Sequence, residues 1–197
     1  MIILLFGISN VGKTTLGEVL STKLNYEFYD LDQEIKNYYR VTIEGFFKKY
    51  SDLKVRDRKR SELLKRLIKG KENVVIAVSP ITYIQYFKEI LSKDNIVSFE
   101  LIDTPENIFD RLVFTDDNDN IIEGMDEYKN QFLKYYLKEI SKDLEYYHEI
   151  FAPIVDHTVF MDGKNPEEIT DIMINTCNLT WRALFIEKTM FYLKLIL

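Results

Sequence analysis

The sequence predicts a three-layer α/β fold, in which a five-stranded parallel sheet lies between two layers of helices. Short apolar runs such as IILLF and VVIAV alternate with longer segments whose apolar residues recur at helical spacing. Continuous apolar runs are typical of central parallel strands, because these strands are buried on both faces. A glycine-rich stretch directly follows the first run and leads into a helical pattern, which is a frequent start of such a sheet.

Length, charge and cysteine content limit the class of protein. A chain of 197 residues is long enough for one sizeable core. Its net charge of −6 argues against a nucleic-acid partner, since general nucleic-acid binders are usually basic. No uncharged stretch approaches the roughly 20 residues of a membrane helix, so no membrane association is expected. The single cysteine, Cys177, cannot form an internal disulfide, which fits a cytoplasmic protein.

The glycine-rich stretch, residues 7–17, contains three of the seven glycines of the chain. Residues 7–14 match G-x-x-x-x-G-K-[ST] in the strand–loop–helix setting that this phosphate-binding motif requires. The pattern predicts that Lys13 binds the β- and γ-phosphates of ATP and that Thr14 coordinates Mg²⁺. Gly17 lies within the predicted helix, which indicates close packing of that helix on the sheet. The expected nucleotide contacts from this loop are Gly7, Asn10, Val11, Gly12, Lys13, Thr14 and Thr15.

An acidic pair follows the second predicted strand, Tyr26 to Tyr29. Asp30 and Asp32 stand at the carboxyl end of this strand, where ligands bind in open α/β sheets. One carboxylate could support a metal ion, and the other could accept a proton from a substrate hydroxyl. An aspartate at this position could equally cap the next helix, and the spacing alone does not separate the two interpretations.

Together these motifs resemble the shikimate kinase family, P-loop kinases that phosphorylate shikimate from ATP. The family pattern F-x-D-x-D-x-x-I stands at residues 28–35, and TIEGFFKKYSDLKVR resembles the downstream block S-I-x-E-I-F…G-E-x-x-F-R. The resemblance covers roughly residues 1–175 and implies a P-loop NTPase fold with strand order 2-3-1-4-5. It further implies that Asp30 helps to organise Mg²⁺, that Asp32 binds hydroxyls and acts as the base, and that Arg56 binds the substrate carboxylate.

The substrate wall departs from the family pattern. The family has three glycines after its third strand, and Ser79, Pro80 and Ile81 stand at these positions. The change adds bulk beside the substrate, so Ser79 is expected at the substrate site. Ser79 as a cap and Pro80 in the first turn also predict a helix over 81–91.

The lid and the second substrate clamp depart as well. The family lid carries an arginine, whereas residues 112–128 hold six acidic residues and no basic one. Lys129 and Lys134 are possible cation donors there. Arg111 matches a family position near the adenine and the lid hinge. Lys142 stands for the second arginine that binds substrate in the family, although its place in a lysine stripe at i, i+4 spacing fits an exposed helix face equally well.

A strongly basic amphipathic helix is predicted near Lys54 to Lys71, a segment with nine basic and two acidic residues. Arg56, Lys59 and Arg60 share one face of it. A solvated face explains most of the run. Attraction of an anionic substrate or docking of an acidic partner are the alternatives.

The expected organisation is one kinase domain, residues 1–178, with substrate-binding helices at about 31–70 and the lid at about 112–128. Residues 179–197 are expected to form an apolar helical extension that packs on the same chain or supports a weak homodimer of an otherwise monomeric protein. The expected reaction transfers the γ-phosphoryl group of ATP to a hydroxyl of shikimate or a similar carboxylated polyol. A P-loop kinase for a sugar acid or nucleoside, and a nucleotide-binding module with little catalysis, are the alternatives.

Overall fold

Five parallel strands form the centre of the protein in a computed structural model, which describes residues 1–177. The strands are β1 (Ile2–Phe6), β2 (Glu27–Asp30), β3 (Val74–Ala77), β4 (Ile96–Ile102) and β5 (His157–Phe160). Their order in the sheet is β2-β3-β1-β4-β5, which confirms the predicted topology. All strands run in one direction, so their carboxyl ends lie along a single edge of the sheet.

Helices cover both faces of the sheet. They are α1 (Lys13–Leu24), α2 (Leu31–Tyr39), α3 (Ile43–Lys49), α4 (Leu53–Ile68), α5 (Lys88–Leu91), α6 (Pro105–Asp110), α7 (Asp126–Gln131) and α8 (Leu133–Phe151). A further helix, α9, covers residues 166–177. The predicted substrate-binding helices correspond to α2, α3 and α4. Among the helices of residues 1–177, none has the length and apolarity to cross a membrane.

Two hydrophobic clusters fill the spaces between the sheet and its helices. Along β1, Ile3 and Leu5 point to one face and pack with residues of α1, α6 and α8. Leu4 and Phe6 point to the opposite face and pack with residues of α2, α3 and α4. This alternation, on a strand buried along its whole length, gives the predicted three layers.

Gly17 allows α1 to lie close to the sheet. A Cβ atom at this position would come within 2.3 Å of Cε2 of Phe28 in β2. The close helix-to-sheet packing predicted for this glycine is therefore confirmed.

The prediction of a continuous helix over 81–91 is wrong. The chain instead forms a 3₁₀ turn at Ile84–Tyr86, followed by the single turn of α5. The Asp57 carboxylate accepts hydrogen bonds from the amides of Thr82 and Tyr83, the kind of contact that the predicted cap Ser79 would have made. A tertiary contact from α4 thus replaces the local one. The expectations for residues 179–197 lie outside the part of the chain that the structure describes.

Candidate active site

The loop between β1 and α1 has the backbone shape that its glycines predict. Gly12, the residue before α1, has a φ of 109°, and Gly7 has a φ of 139°. A Cβ atom at Gly7 would lie 2.7 Å from the carbonyl oxygen of Leu101. Residues with side chains rarely adopt such φ values, so both positions require glycine.

A cavity of about 370 Å³ opens over this loop. It is lined by Asn10, Gly12, Lys13, Thr14, Thr15 and Arg111, all of which were predicted to contact nucleotide. The side chain of Val11 is fully buried, and Gly7 has none, so these two can contribute only backbone atoms. The structure therefore brings the loop and Arg111, distant in sequence, to one place.

The Lys13 ammonium lies inside the loop. Its Nζ donates hydrogen bonds to the carbonyl oxygens of Gly7 (3.0 Å) and Ile8 (2.7 Å). Desolvation by the surrounding residues lowers the pKa of Lys13 to about 8, although the charges of Asp32 and Asp30 act in the opposite direction. A phosphate that enters the loop would offer this ammonium stronger, charged acceptors.

Arg111 is fixed in the nucleotide cavity by a carboxylate that the sequence did not reveal. Its Nη2 lies 2.6 Å from Oδ2 of Asp103, whose side chain is fully buried at the end of β4. Its Nε donates to the carbonyl oxygen of Asn10 at 3.1 Å. Burial alone would raise the pKa of Asp103, but hydrogen bonds from Asn107, Arg111 and the Thr104 amide outweigh burial and lower that pKa.

Thr14 and Asp30 form the predicted metal-binding pair. The Thr14 hydroxyl donates to Oδ2 of Asp30 at 2.6 Å. The other oxygen, Oδ1, accepts from the amides of Asp32 and Gln33 and so caps α2. The structure therefore shows the capping role of Asp30, and its metal role stays a prediction. A hydroxyl and a carboxylate oxygen beside a phosphate-binding loop suit Mg²⁺, which prefers oxygen ligands and retains water and phosphate oxygens.

A second cavity, of about 310 Å³, lies on the other side of Asp32; we call it the acceptor cavity. Asp32 also borders a groove lined by Thr14 and Asp30, so it lies between this pair and the acceptor cavity. The acceptor cavity is lined by Ile8, Ser9, Asp32, Ile43, Phe47, Leu53, Arg56, Arg60, Pro80, Thr82, Asp143 and Tyr147.

Ser79, which was predicted at the substrate site, is not among the residues that line this cavity. Its buried hydroxyl donates a hydrogen bond to Oδ1 of Asp32. Ser79 thus contacts Asp32, the expected base. It does not cap a helix, so the prediction of a helix cap at Ser79 is wrong.

Two arginines of α4 line the acceptor cavity. The guanidinium carbon of Arg56 lies 4.8 Å from the ring centroid of Phe47, and that of Arg60 lies 5.4 Å from it. The Nε atoms of both arginines are buried and have no hydrogen-bond partner within residues 1–177. Arg56 was predicted here. Arg60 was noted only for sharing its helix face, and that spacing was the available signal.

Helix α8 contributes Asp143 and Tyr147 to the cavity, not Lys142. Lys142 Nζ lies 2.6 Å from Oε1 of Glu139, and its side chain is 57% exposed. The structure therefore does not bring Lys142 together with the other predicted substrate-binding residues. The sequence prediction missed Asp143 because it matched the family segment to Lys142, and the residue that lines the cavity stands one position later.

The lid contains a hairpin, residues 114–122, that we call the acidic hairpin. Thr115 and Ile121 form an antiparallel bridge. Asp119 lies 3.4 Å from Nζ of Lys36 in α2, and Asp117 lies 3.1 Å from Nζ of Lys48 in α3. Lysines of α2 and α3 thus neutralise part of the charge of the acidic hairpin. The suggested donor Lys129 instead binds the carbonyl oxygen of Asp110.

Comparisons with known proteins identify the family of this chain. The family model for shikimate kinase matches residues 9–178. A shikimate kinase of Caldicellulosiruptor saccharolyticus is 34% identical over 59% of this chain, an alignment that spans 65% of that relative. A shikimate kinase of Flavobacterium psychrophilum is 25% identical over 86% of this chain and 94% of the relative.

Solved structures give the same result. The crystal structure of shikimate kinase from Aquifex aeolicus superposes with a TM-score of 0.67 at 25% identity, over 90% of this chain and 96% of that one. Shikimate kinase from Acinetobacter baumannii in complex with shikimate shares the fold, with a TM-score of 0.65 at 20% identity over 91% of this chain and 93% of that one. Since the family model covers most of the chain, this protein belongs to the shikimate kinase family, a family of ATP-dependent kinases.

Proposed function

We propose that this protein transfers the γ-phosphoryl group of ATP to a hydroxyl of shikimate, or of a closely similar carboxylated polyol, with Mg²⁺ as cofactor. The observation that carries the proposal is the position of Asp32 between the Thr14–Asp30 pair and the acceptor cavity. The family match favours this acceptor over a sugar acid or nucleoside, and over a nucleotide-binding role without transfer.

The nucleotide residues act by position and charge. Backbone amides of residues 7–15 and the ammonium of Lys13 would hold the β- and γ-phosphates, as the cavity over the loop supports. Arg111, held by Asp103, lies at the edge of the same cavity and would contact the nucleotide. Mg²⁺ held by Thr14 and Asp30 would supply neutralisation of phosphate charge during transfer.

The acceptor residues orient the hydroxyl. The Arg56 guanidinium can bind a carboxylate through two parallel hydrogen bonds, and Phe47 supports its planar group from below. Asp32 would then accept the proton of the hydroxyl that attacks the γ-phosphate. The hydrogen bond from Ser79 would orient the Asp32 carboxylate for this step. Each role requires the acceptor cavity to lie beside the Thr14–Asp30 pair, which Asp32 supports because it borders both this cavity and the groove that the pair lines.

A coupled ADP-release assay with shikimate and a series of small hydroxy acids tests the proposal. We expect shikimate to be the best acceptor, and Lys13→Ala and Asp32→Ala each to lower turnover at least about tenfold. Shikimate turnover at background, together with activity on another hydroxyl compound, would contradict the proposed acceptor. ATP binding without ADP release for any acceptor would contradict transfer itself.

A further inference from the structure

Helix α8 does not place a positive charge at the acceptor cavity, although the second substrate-binding cation was expected there. Lys142 is ion-paired with Glu139 and lies outside the residues that line the acceptor cavity. Its neighbour Asp143, which does line the acceptor cavity, carries the opposite charge. An anionic acceptor therefore needs its second cation from another element.

Helix α4 offers one. The side chain of Arg60 is only 6% exposed, yet it lines the acceptor cavity one helical turn beyond Arg56. Its guanidinium and that of Arg56 lie against the same ring, Phe47. Buried arginines normally satisfy their donors, but the Nε atoms of both have no partner among the residues described.

The Arg60 guanidinium is fixed on one side only. Nη1 donates to Oδ1 of Asp57 at 2.9 Å and to the carbonyl oxygen of Pro80 at 3.2 Å. Asp57 is itself fixed, because its Oδ2 accepts from the amides of Thr82 and Tyr83 at 2.8 Å each. A pre-oriented guanidinium loses little conformational entropy when it binds a planar anion.

We propose that Arg60 is the second guanidinium of the acceptor site and that Arg56 and Arg60, one turn apart on α4, together bind the acceptor carboxylate. The inference rests on the proposed function, since it assumes a carboxylated acceptor. It assigns the substrate clamp to a single helix and leaves α8 to shape the opposite wall through Asp143 and Tyr147.

Steady-state kinetics of Arg60→Lys, with shikimate and with its carboxamide analogue, test this role. Lysine keeps the charge beside Asp57 but loses the planar fork. The KM for shikimate is expected to rise about tenfold, while the KM for ATP stays within about twofold. The KM for the carboxamide, which lacks the negative charge, is expected to be the same in both proteins. A purely structural role would instead change all three constants.

Two further variants complete the test. Arg58→Lys is the matched control, because Arg58 is 53% exposed on α4 and does not line the cavity. Lys142→Met tests whether Lys142 binds the acceptor instead, and this test holds even if Arg60→Lys does not fold. An unchanged KM for shikimate in Lys142→Met supports the proposal, and a rise of about tenfold overturns it. An unchanged KM in folded Arg60→Lys also overturns it. Failure of the wild type to phosphorylate shikimate would refute the proposed function instead.

Discussion

The hydroxyl of Ser79 donates a hydrogen bond to Oδ1 of Asp32 and so connects the wall after β3 to the first turn of α2. Ser79 is 2% exposed, so water does not compete for this contact. The family resemblance places a glycine at this position, and a glycine has no side chain with which to hold the carboxylate. The chain has therefore changed its substrate wall while gaining a fixed orientation for its expected base.

Replacing Ser79 with alanine tests the value of that orientation. We expect kcat for phosphoryl transfer to fall roughly fivefold, because a hydrogen bond of this kind contributes about 1 kcal/mol. The KM for ATP should not change, since Ser79 does not line the nucleotide cavity. Ser141→Ala, an exposed serine of α8, is the control. An unchanged kcat in Ser79→Ala would show that Asp32 does not depend on this contact.

The lowered pKa of Lys13 predicts a pH dependence of ATP binding. Below about pH 8 the ammonium is charged before ATP arrives, whereas above this value it must take up a proton on binding. The Kd for ATP should therefore rise above pH 8, by up to about tenfold per pH unit. Calorimetry in two buffers of different ionisation enthalpy would detect the proton uptake. The Lys13→Met variant should lose this pH dependence, and a flat Kd in the wild type would contradict the prediction.

The lowered pKa of Lys13 also determines how the free energy of unfolding changes with pH. The ordinary pKa of lysine, 10.5, applies to the unfolded chain, which therefore holds one more proton than the folded protein between about pH 8 and 10.5. The contribution of Lys13 to the free energy of unfolding thus increases with pH in this window. At neutral pH its buried charge opposes folding, so Lys13→Met should raise the melting temperature of the nucleotide-free protein while reducing activity.

Asp143 is expected to weaken the binding of an anionic acceptor, because it places a negative charge on the wall of the acceptor cavity. The pKa of its carboxyl is raised, first by burial and then by the charge of Glu139. Asp143→Asn keeps the shape of the wall and should lower the KM for shikimate by roughly two- to fivefold at neutral pH. The carboxamide analogue should show no such gain. A higher KM for shikimate would mean that Asp143 binds the acceptor directly.

The acidic hairpin should hold the lid against the substrate-binding helices through its ion pairs with Lys36 and Lys48. We expect the double variant Asp117→Asn, Asp119→Asn to raise the KM for the acceptor by roughly two- to fivefold, since exposed pairs contribute about 0–1 kcal/mol each. High salt should produce a similar rise in the wild type and little further change in the variant. Asp126→Asn, in the first turn of α7, is the control. Equal salt sensitivity in both proteins would exclude this role of the hairpin.

Gly17 gives a prediction about stability alone. Alanine normally favours a helix over glycine by about 1 kcal/mol, but here its Cβ would meet the Phe28 ring. Gly17→Ala should therefore lower the free energy of unfolding by about 1–3 kcal/mol, measured by urea denaturation. Thr22→Ala, at an exposed position of α1, should not show this loss. A stabilised Gly17→Ala variant would mean that the ring moves aside at little cost.

The fold and the nucleotide half of the site could be predicted because their signals are local. The apolar run of β1 and the glycines at 7 and 12 each act within a few residues of where they stand. Asp30 was harder, since capping and metal binding predict the same residue in the same place, and the structure contains the geometry for both.

The acceptor half could not be predicted as well, because it depends on contacts between distant elements. The capping contact expected of Ser79 is made instead by Asp57, a residue more than 20 positions earlier that accepts hydrogen bonds from the amides of Thr82 and Tyr83. The side of α8 that faces the cavity is decided by packing, and a shift of one residue exchanges Lys142 for Asp143. Asp103 follows a buried strand and carries no sequence sign that its partner is Arg111.

The double use of Asp30 constrains how this enzyme can change in a selection for new acceptors. One oxygen caps α2 and the other contacts Thr14, so any replacement disturbs the start of α2 and the predicted cation site in the same step. Adaptive substitutions should consequently accumulate at positions such as Pro80 and Asp143, which line the acceptor cavity, while position 30 should stay unchanged in every active lineage.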